Sequence, residues 1–322
     1  MGNVIADFCQ PTGDHYARPF VKWAGGKGRL ISQINSRLPK TINDDVDTYV
    51  EPFVGGGAIF FHISNNYKIK NRIINDSNKN LIISYISIRD NCEELIASLS
   101  ELEKRYLSAS LENKENIYYK ERNIYNSLSK KNNADKIDIA SKFIFLNKTC
   151  YNGLYRSNKN GDFNVPHGSH SSYSICDKRN LRNVSKNLLD VKITNLDFLD
   201  FFNNIEKSKL LMYVDPPYTV AHNNNGFIEY NEKIFSFDNQ KELSKQLSSI
   251  AQKNNKIIVS NAVHTNIYHL YHDEAGFICD IAYRASVIGS ERKSRIQTSE
   301  YIFTSYPKTE YRLKEVDLFG NN

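Results

Sequence analysis

Short apolar runs alternating with helical stretches constrain this chain more than any other feature. The segment "TYVEPFVGGGAIFF" (48–61) reads as a strand, a glycine turn and an apolar helix. "KNRIINDSNKNLI" (70–82) follows with a short strand at 72–74, completing a β-α-β unit. The alternation resumes with a strand at 191–197, a helix at 198–205 and a strand at 209–215. Next come a loop holding Asn223-Asn224-Asn225-Gly226, a helix at 238–253 with Asp238 as its N-cap, and a strand at 256–262. After a helix over "HTNIYHLYHD", the runs "FICDIAYRASV" and "SEYIFTSY" suggest an antiparallel pair. This pattern predicts an α/β sheet. A mostly helical stretch interrupts it: charged helix over 81–129, helix over 135–149, and helix over 178–190. Within that stretch "CYNGLYRSNKNGDFNVPHGSHSSYS" (150–174) has no period and reads as a long ordered loop or hairpin, usually a functional feature. Residues 1–17 read as a loose leader.

At 322 residues the chain has the length of one large or two small domains, and its net charge of +6 is compatible with a polyanionic partner. Lys104, Arg105, Lys120, Arg122, Lys130 and Lys131 are expected on a solvated helical face. The five cysteines are odd in number and form no C-x-x-C pair, which argues against a disulfide framework or zinc site and for a reducing compartment. No metal is expected. No apolar run reaches membrane-spanning length, and the opening "MGNVIADFCQ" lacks the layout of a signal peptide, so the expectation is a soluble, cytoplasmic protein without membrane contact.

Four segments carry chemistry. In "EPFVGGG" (51–57) glycines straight after a strand allow close backbone approach, and the helix start behind them favours anionic groups. The spacing is neither a P-loop nor the standard dinucleotide fingerprint. Asp76 lies about twenty residues on, where an acid commonly holds a ribose diol; a tight turn and a solvated acid are the plainer readings. "KWAGGK" (22–27) offers a flat tryptophan face and a cation beside paired glycines, or only a loop anchored by one buried Trp. "DPPY" (215–218) ends a strand with an acid, a rigid turn and an aromatic. It is good punctuation after any strand, and it is also a site for an exocyclic amine. The Asp215 carboxylate and the Pro216 carbonyl can accept both amine protons and aim the nitrogen lone pair, while Tyr218 stacks on the base. In "YNGLYR…FNVPHG" Tyr151 and Tyr155 can insert or stack, Arg156 can contact guanine, and Leu154 and Pro166 can touch thymine methyls. Surface aromatics around a glycine turn are the alternative.

These four segments, in this order, resemble the Dam-type, alpha-order DNA adenine N6-methyltransferases, from about Arg18 to Tyr306. The resemblance implies a Rossmann-like S-adenosylmethionine-dependent methyltransferase sheet, mostly parallel with an antiparallel final strand, plus a mainly helical target-recognition insertion. The catalytic domain would span 18–78 and 188–310, the recognition domain 79–187, with flexible ends at 1–17 and 311–322. S-adenosylmethionine is the implied cofactor and double-stranded DNA the implied partner. Asp215, Pro216, Pro217 and Tyr218 would be catalytic. Trp23, Ala24, Gly25, Gly26, Lys27, Phe53, Gly55, Gly57, Asp76 and Asp215 would bind the cofactor, with Asp197 and Phe198 reading its adenine. Lys22 resembles a guanine contact, Tyr151 a duplex wedge and Asn152 a contact to the orphaned base. Leu154, Arg156 and Pro166 resemble readers of the second half of the site, with Asn158 and Asn164 beside them on the DNA. Family members with this set act on GATC. The chain departs from the pattern after "FNVP", where His167-Gly168-Ser169-His170 replaces an aromatic-Gly-Arg-aromatic run.

The implied function is methyl transfer from S-adenosylmethionine to N6 of a flipped adenine in duplex DNA, within GATC. Cytosine N4 and RNA adenine are alternative acceptors, and a non-catalytic, sequence-specific DNA-binding protein is the alternative from another class.

Overall fold

A computed structural model of the chain describes residues 16–168, 174–205, 208–218, 235–285 and 297–312. Ser169, His170, the Asn223–Gly226 loop, residues 1–15 of the leader and 313–322 of the tail lie outside them. The strands are β1 (Thr48–Glu51), β2 (Asn71–Asn75), β3 (Val191–Thr194), β4 (Leu210–Val214), β5 (Lys256–Ala262), β6 (Ile278–Ala285) and β7 (Gln297–Thr304). The helices that matter here are α1 (Ile31–Arg37), α2 (Ala58–Asn66), α3 (Lys79–Asp90), α4 (Cys92–Leu107), α5 (Leu111–Ser129), α6 (Lys136–Thr149), α7 (Lys178–Leu188) and α8 (Phe198–Asn203). A later helix, Phe237–Ala251, crosses between β4 and β5 in sequence. The architecture is α/β, with a mostly parallel sheet closed by antiparallel strands.

The chain divides into two compact units. The first comprises residues 1–26, 55–66 and 78–195, so it holds α2 to α7 and the whole stretch 79–187. Its core is built from Phe60, Phe61, Tyr85, Leu99, Phe143, Phe145 and Val184, all buried. The pattern read as continuous helix over 81–129 is three helices. Asn91 leaves helical geometry at φ −134°, and Ser110 caps α5 by accepting from the Asn113 N–H.

The second unit comprises 27–54, 67–77 and 196–322. It holds six of the strands, in the order β2-β1-β4-β5-β7-β6. β1 pairs in parallel with β2 (Val50 opposite Ile73) and with β4 (Val50 opposite Met212), and β4 pairs in parallel with β5 (Tyr213 opposite Ile258). β7 is antiparallel to both β5 (Ser260 opposite Ile302) and β6 (Ile281 opposite Tyr301), as the last two apolar runs suggest. The order reverses between β1 and β4. In open α/β sheets that reversal, at the carboxyl ends of the strands, is where ligands bind. A core of Val50, Phe198, Phe202, Met212, Val214, Leu243, Leu247, Val259 and Phe303 packs beneath it.

Several details differ from the sequence reading. The strand expected to reach 197 ends at Thr194. Leu196 instead gives its N–H and carbonyl to the Asn75 side chain, at 2.9 and 3.0 Å, which takes that backbone out of a ladder. The N-cap of the helix at 237 is Ser236, whose hydroxyl accepts from Asn239 N–H, and Asp238 sits in the first turn. A serine hydroxyl there closes a capping box with Asn239. The helix expected across 264–273 is one turn, Thr265–Tyr268, followed by a wider π turn, His269–Glu274. Two residues expected in loose ends are anchored. Ala17 donates to Asn65 at 3.2 Å, and Tyr311 is buried with its hydroxyl on Asp280 at 3.2 Å. Among the described residues no helix is long and apolar enough to cross a membrane.

Candidate active site and recognition hairpin

In the second unit the parallel strands deliver their polar residues to one edge. β4 is wholly buried, and the chain leaves it at Asp215-Pro216-Pro217-Tyr218. The turn is held from below. Gln240 donates to the Pro217 carbonyl at 3.4 Å, and its own carbonyl accepts from Asn261 (3.2 Å) and Tyr271 (2.9 Å). The Asp215 side chain is 21% exposed and pairs with Lys27 Nζ at 2.9 Å. Lys27, on a single turn of 3-10 helix, has only 3% of its side chain exposed. Its ammonium also meets Glu300 at 3.2 Å and the Tyr218 hydroxyl oxygen at 2.7 Å. Lys27 therefore lies under the DPPY turn, bridging carboxylates. The Tyr218 hydroxyl donates to Glu300 at 2.8 Å, and the ring lies 4.7 Å from the ammonium. Burial, followed by the charges of Asp215 and Glu300, pushes the Tyr218 phenol well up, so it remains a neutral donor.

Glu51, at the end of β1, is buried and accepts from the Tyr49 hydroxyl. Burial raises its carboxyl well above the usual range; the Tyr49 hydrogen bond opposes this and the Asp215 charge adds to it. A carboxyl held toward its neutral form places less negative charge beside Asp215.

Asn75, the last residue of β2, organises the neighbouring strand ends. It is buried, donates to the carbonyls of Pro52 (3.1 Å) and Leu196 (3.0 Å), and accepts from Leu196 N–H (2.9 Å). One amide thus fixes the approach to Phe53, to Asp76 and to Asp197-Phe198. Asp76 is half-buried just past β2. Phe53 is half-buried, with its ring 6.1 Å from Phe198 and 5.7 Å from Phe235. Asp197 is exposed and caps α8 through Leu199 N–H at 2.9 Å, while Phe198 is buried in the core.

The first unit holds the remaining motif residues. Ala24, Gly25 and Gly26 are exposed. Trp23 is half-buried and stacks on Tyr155, with ring centres 5.5 Å apart and planes 16° from parallel. Gly55 has φ +49°, and a Cβ there would lie 2.7 Å from Trp23 Cδ1. Gly57 is buried. Lys22 is tied through its backbone N–H and carbonyl to the Asn147 side chain.

The segment 150–168 is an ordered hairpin-like loop, closed by bridges between Cys150 and His167 and between Ser157 and Phe163. Helix α5 pins it: Tyr118 donates to the Val165 carbonyl at 2.8 Å, and Asn126 bonds both N–H and C=O of Phe163. Arg122 also donates to Val165, at 3.3 Å, and Lys130 pairs with Asp162. Lys130 is exposed, as expected of a solvated face, while Arg122 is half-buried, and both also brace the hairpin. Tyr151, Asn152, Leu154, Arg156 and Pro166 are exposed. Asn152 takes a left-handed conformation at φ +56°. Arg156 donates to Asn164 at 2.9 Å, which orients its guanidinium. Asn158 turns the tip, accepting from the N–H groups of Asn160 and Asp162 at 2.9 and 3.0 Å. Glu300, Asn75 and Asn147 are the polar residues that motif reasoning missed.

Residues 23–285 match the family described as D12 class N6 adenine-specific DNA methyltransferase. The chain is 39% identical over 252 residues to the type II methyltransferase M.MjaIII of Methanocaldococcus jannaschii, covering 78% of this chain and 86% of the relative. It is 30% identical to the type II methyltransferase M1.LlaDCHI of Lactococcus lactis subsp. cremoris, covering 90% and 95% of the two chains. It is also 30% identical to the DNA adenine methylase of Haemophilus influenzae, covering 76% and 79%. The chain belongs to the D12 class of N6-adenine-specific DNA methyltransferases. Its activity is accordingly methyl transfer to adenine N6 in DNA.

Proposed function

We propose that this enzyme methylates an adenine turned out of duplex DNA within GATC, with S-adenosylmethionine as methyl donor. The observation that carries the reading is the partly exposed Asp215 carboxylate, fixed at the end of a buried strand by Lys27 at 2.9 Å. The exocyclic amine of adenine is a weak nucleophile because its lone pair is delocalised into the ring. The Asp215 carboxylate and the Pro216 carbonyl accept its two protons and draw the nitrogen toward tetrahedral geometry. Tyr218 stacks on the base. The work is positioning and electrostatic preorganisation. The amine is unreachable in the stack, so the base must leave it.

The residues fit the cofactor. The half-buried Asp76 carboxylate at a strand end suits a ribose diol, and the half-buried Phe53 ring offers a flat apolar face. Gly55 leaves Trp23 a place that a Cβ would fill. Asp76, Phe53, Asp197, Phe198, Trp23, the glycines Gly25, Gly26, Gly55 and Gly57 with Ala24, and Asp215 would hold it, Lys27 contributing through Asp215. When bound, S-adenosylmethionine supplies a methyl group on a sulfonium sulfur. Tyr151, Asn152, Leu154, Arg156 and Pro166 on the exposed hairpin, with Asn158 and Asn164 shaping it and Lys22 beside it, support reading of the GATC bases. Arg156, exposed and held by Asn164, is the side chain assigned to guanine in this reading.

The test is label transfer from S-adenosylmethionine into three duplexes: GATC, GATC already methylated on both adenines, and a scrambled sequence, with Asp215→Ala in parallel. The reading expects N6-methyladenine only in the unmethylated GATC duplex, and none from Asp215→Ala. Equal label in the scrambled duplex would remove the GATC assignment, and an active Asp215→Ala would remove the catalytic one.

A further inference from the structure

Glu300 lies in β7, a strand that carries none of the motif residues, and its side chain is fully buried at 0% exposure. An ionised carboxylate taken out of water is costly unless it is paired and hydrogen-bonded. Glu300 is both through one oxygen: its Oε2 meets Lys27 Nζ at 3.2 Å and accepts the Tyr218 hydroxyl at 2.8 Å. Lys27 in turn reaches Asp215 at 2.9 Å. The sheet makes room for this group. Glu300 pairs directly with Ala262 of β5 and with Ala282 of β6, both buried. Directly opposed residues share a face of the sheet, so two methyl groups flank the carboxylate where larger side chains would exclude its partners. Two residues on, on the same face, the strand returns to ordinary core with Ile302.

We infer that Glu300 is a positioning residue for methyl transfer, holding the Tyr218 ring directly and the Asp215 carboxylate through Lys27. This rests on the reading of Asp215 as the acceptor for the target amine. Lys27 lies between two carboxylates, so its charge is shared. Without Glu300 the whole ammonium charge would fall on Asp215, whose strength as an acceptor the amine requires. Tyr218 would also lose the acceptor that sets its ring. One buried residue therefore fixes both surfaces that would meet the target base.

The test uses the full chain with Glu300→Gln, which keeps shape and an acceptor for Tyr218 while removing the charge. Turnover, the KM for a GATC duplex, cofactor affinity by equilibrium dialysis and the folded fraction are measured beside Asp215→Asn. The expected result is a kcat, per folded enzyme, lower by about tenfold or more, with KM and cofactor affinity within about threefold of wild type. A Glu300→Gln/Tyr218→Phe double variant should lose less than the product of the two single losses. If Glu300→Gln does not fold, Glu300→Asp, which withdraws the carboxylate by one methylene, is expected to show the same kcat loss. Wild-type kcat in whichever variant folds, with Asp215→Asn inactive, overturns the inference. Wild-type kcat in Asp215→Asn is a separate failure, that of the underlying reading.

Discussion

Asn147 and Lys22 grip each other at two points. The Asn147 side-chain carbonyl accepts the Lys22 N–H at 2.8 Å, and its amide donates to the Lys22 carbonyl, also at 2.8 Å. The same amide reaches the Gly153 carbonyl at 3.3 Å. Gly153 follows Tyr151 and Asn152, and a Cβ on it would lie 2.3 Å from Lys22 Cδ. A fully buried asparagine thus registers the KWAGGK segment against the base of the hairpin, where Tyr151 sits.

Asn147→Ala leaves those backbone groups without their partner in a dry site. The expected loss is about 2–4 kcal/mol of stability, read as a lower urea midpoint. DNA discrimination should fall with it, because Lys22 and Tyr151 no longer share a fixed frame. A variant with wild-type stability would show that water replaces the amide.

Gly55→Ala places a methyl group 2.7 Å from Trp23 Cδ1 on a residue with φ +49°, so both the backbone and the indole must move. Left-handed geometry alone costs about 1–2 kcal/mol for a residue with a Cβ. Affinity for S-adenosylmethionine should fall by about tenfold. Trp23 is the only tryptophan, so intrinsic fluorescence follows both the displaced ring and the titration. Unchanged affinity would take Trp23 out of the cofactor's surroundings.

The strand–helix alternation was legible because its apolar runs are short and sharply bounded, and β1, β2, β4 and β5 fall where those runs lie. The DPPY, EPFVGGG and KWAGGK segments were legible for a local reason: each concentrates unusual residues at the end of an element. The residues that hold them were not. Glu300 in "SEYIFTSY" has the look of a polar residue on an edge strand, and only its pairing with Ala262 and Ala282 reveals a buried site. Asn75 stands beside the more conspicuous Asp76, in a chain full of asparagine. Asn147 sits in an apolar helix, and its partners lie 125 residues upstream and across a turn. A supporting contact between distant segments leaves no periodic trace.

His167 gives a first pH prediction. Its Nε2 meets the Tyr106 hydroxyl at 2.6 Å, and its ring centre lies 5.2 Å from that of Tyr118. Burial lowers its pKa below the ordinary 6.5; Glu115 opposes the shift and Lys114 adds to it. The unfolded chain therefore takes up a proton first as pH falls, so stability present above 6.5 is lost on acidification through the lower folded value. His167→Gln should lose less stability than wild type between pH 7 and pH 5, measured by urea unfolding at each pH. Parallel curves for the two proteins would place the histidine in water.

Glu51 titrates with the opposite sign. Burial holds its carboxyl well above the ordinary 4.5, the Tyr49 hydroxyl working against the shift and Asp215 with it. The folded chain keeps a proton that the unfolded chain has released, so the linkage runs against the native state as pH rises above 4.5. Glu51→Gln fills the same space, still accepts from Tyr49 and has no proton to lose. It should unfold at a higher urea midpoint than wild type at pH 8, and the difference should shrink toward pH 5. Equal midpoints at both pH values would mean that Glu51 is ionised in the fold, and Asp215 would then carry a second negative charge close by.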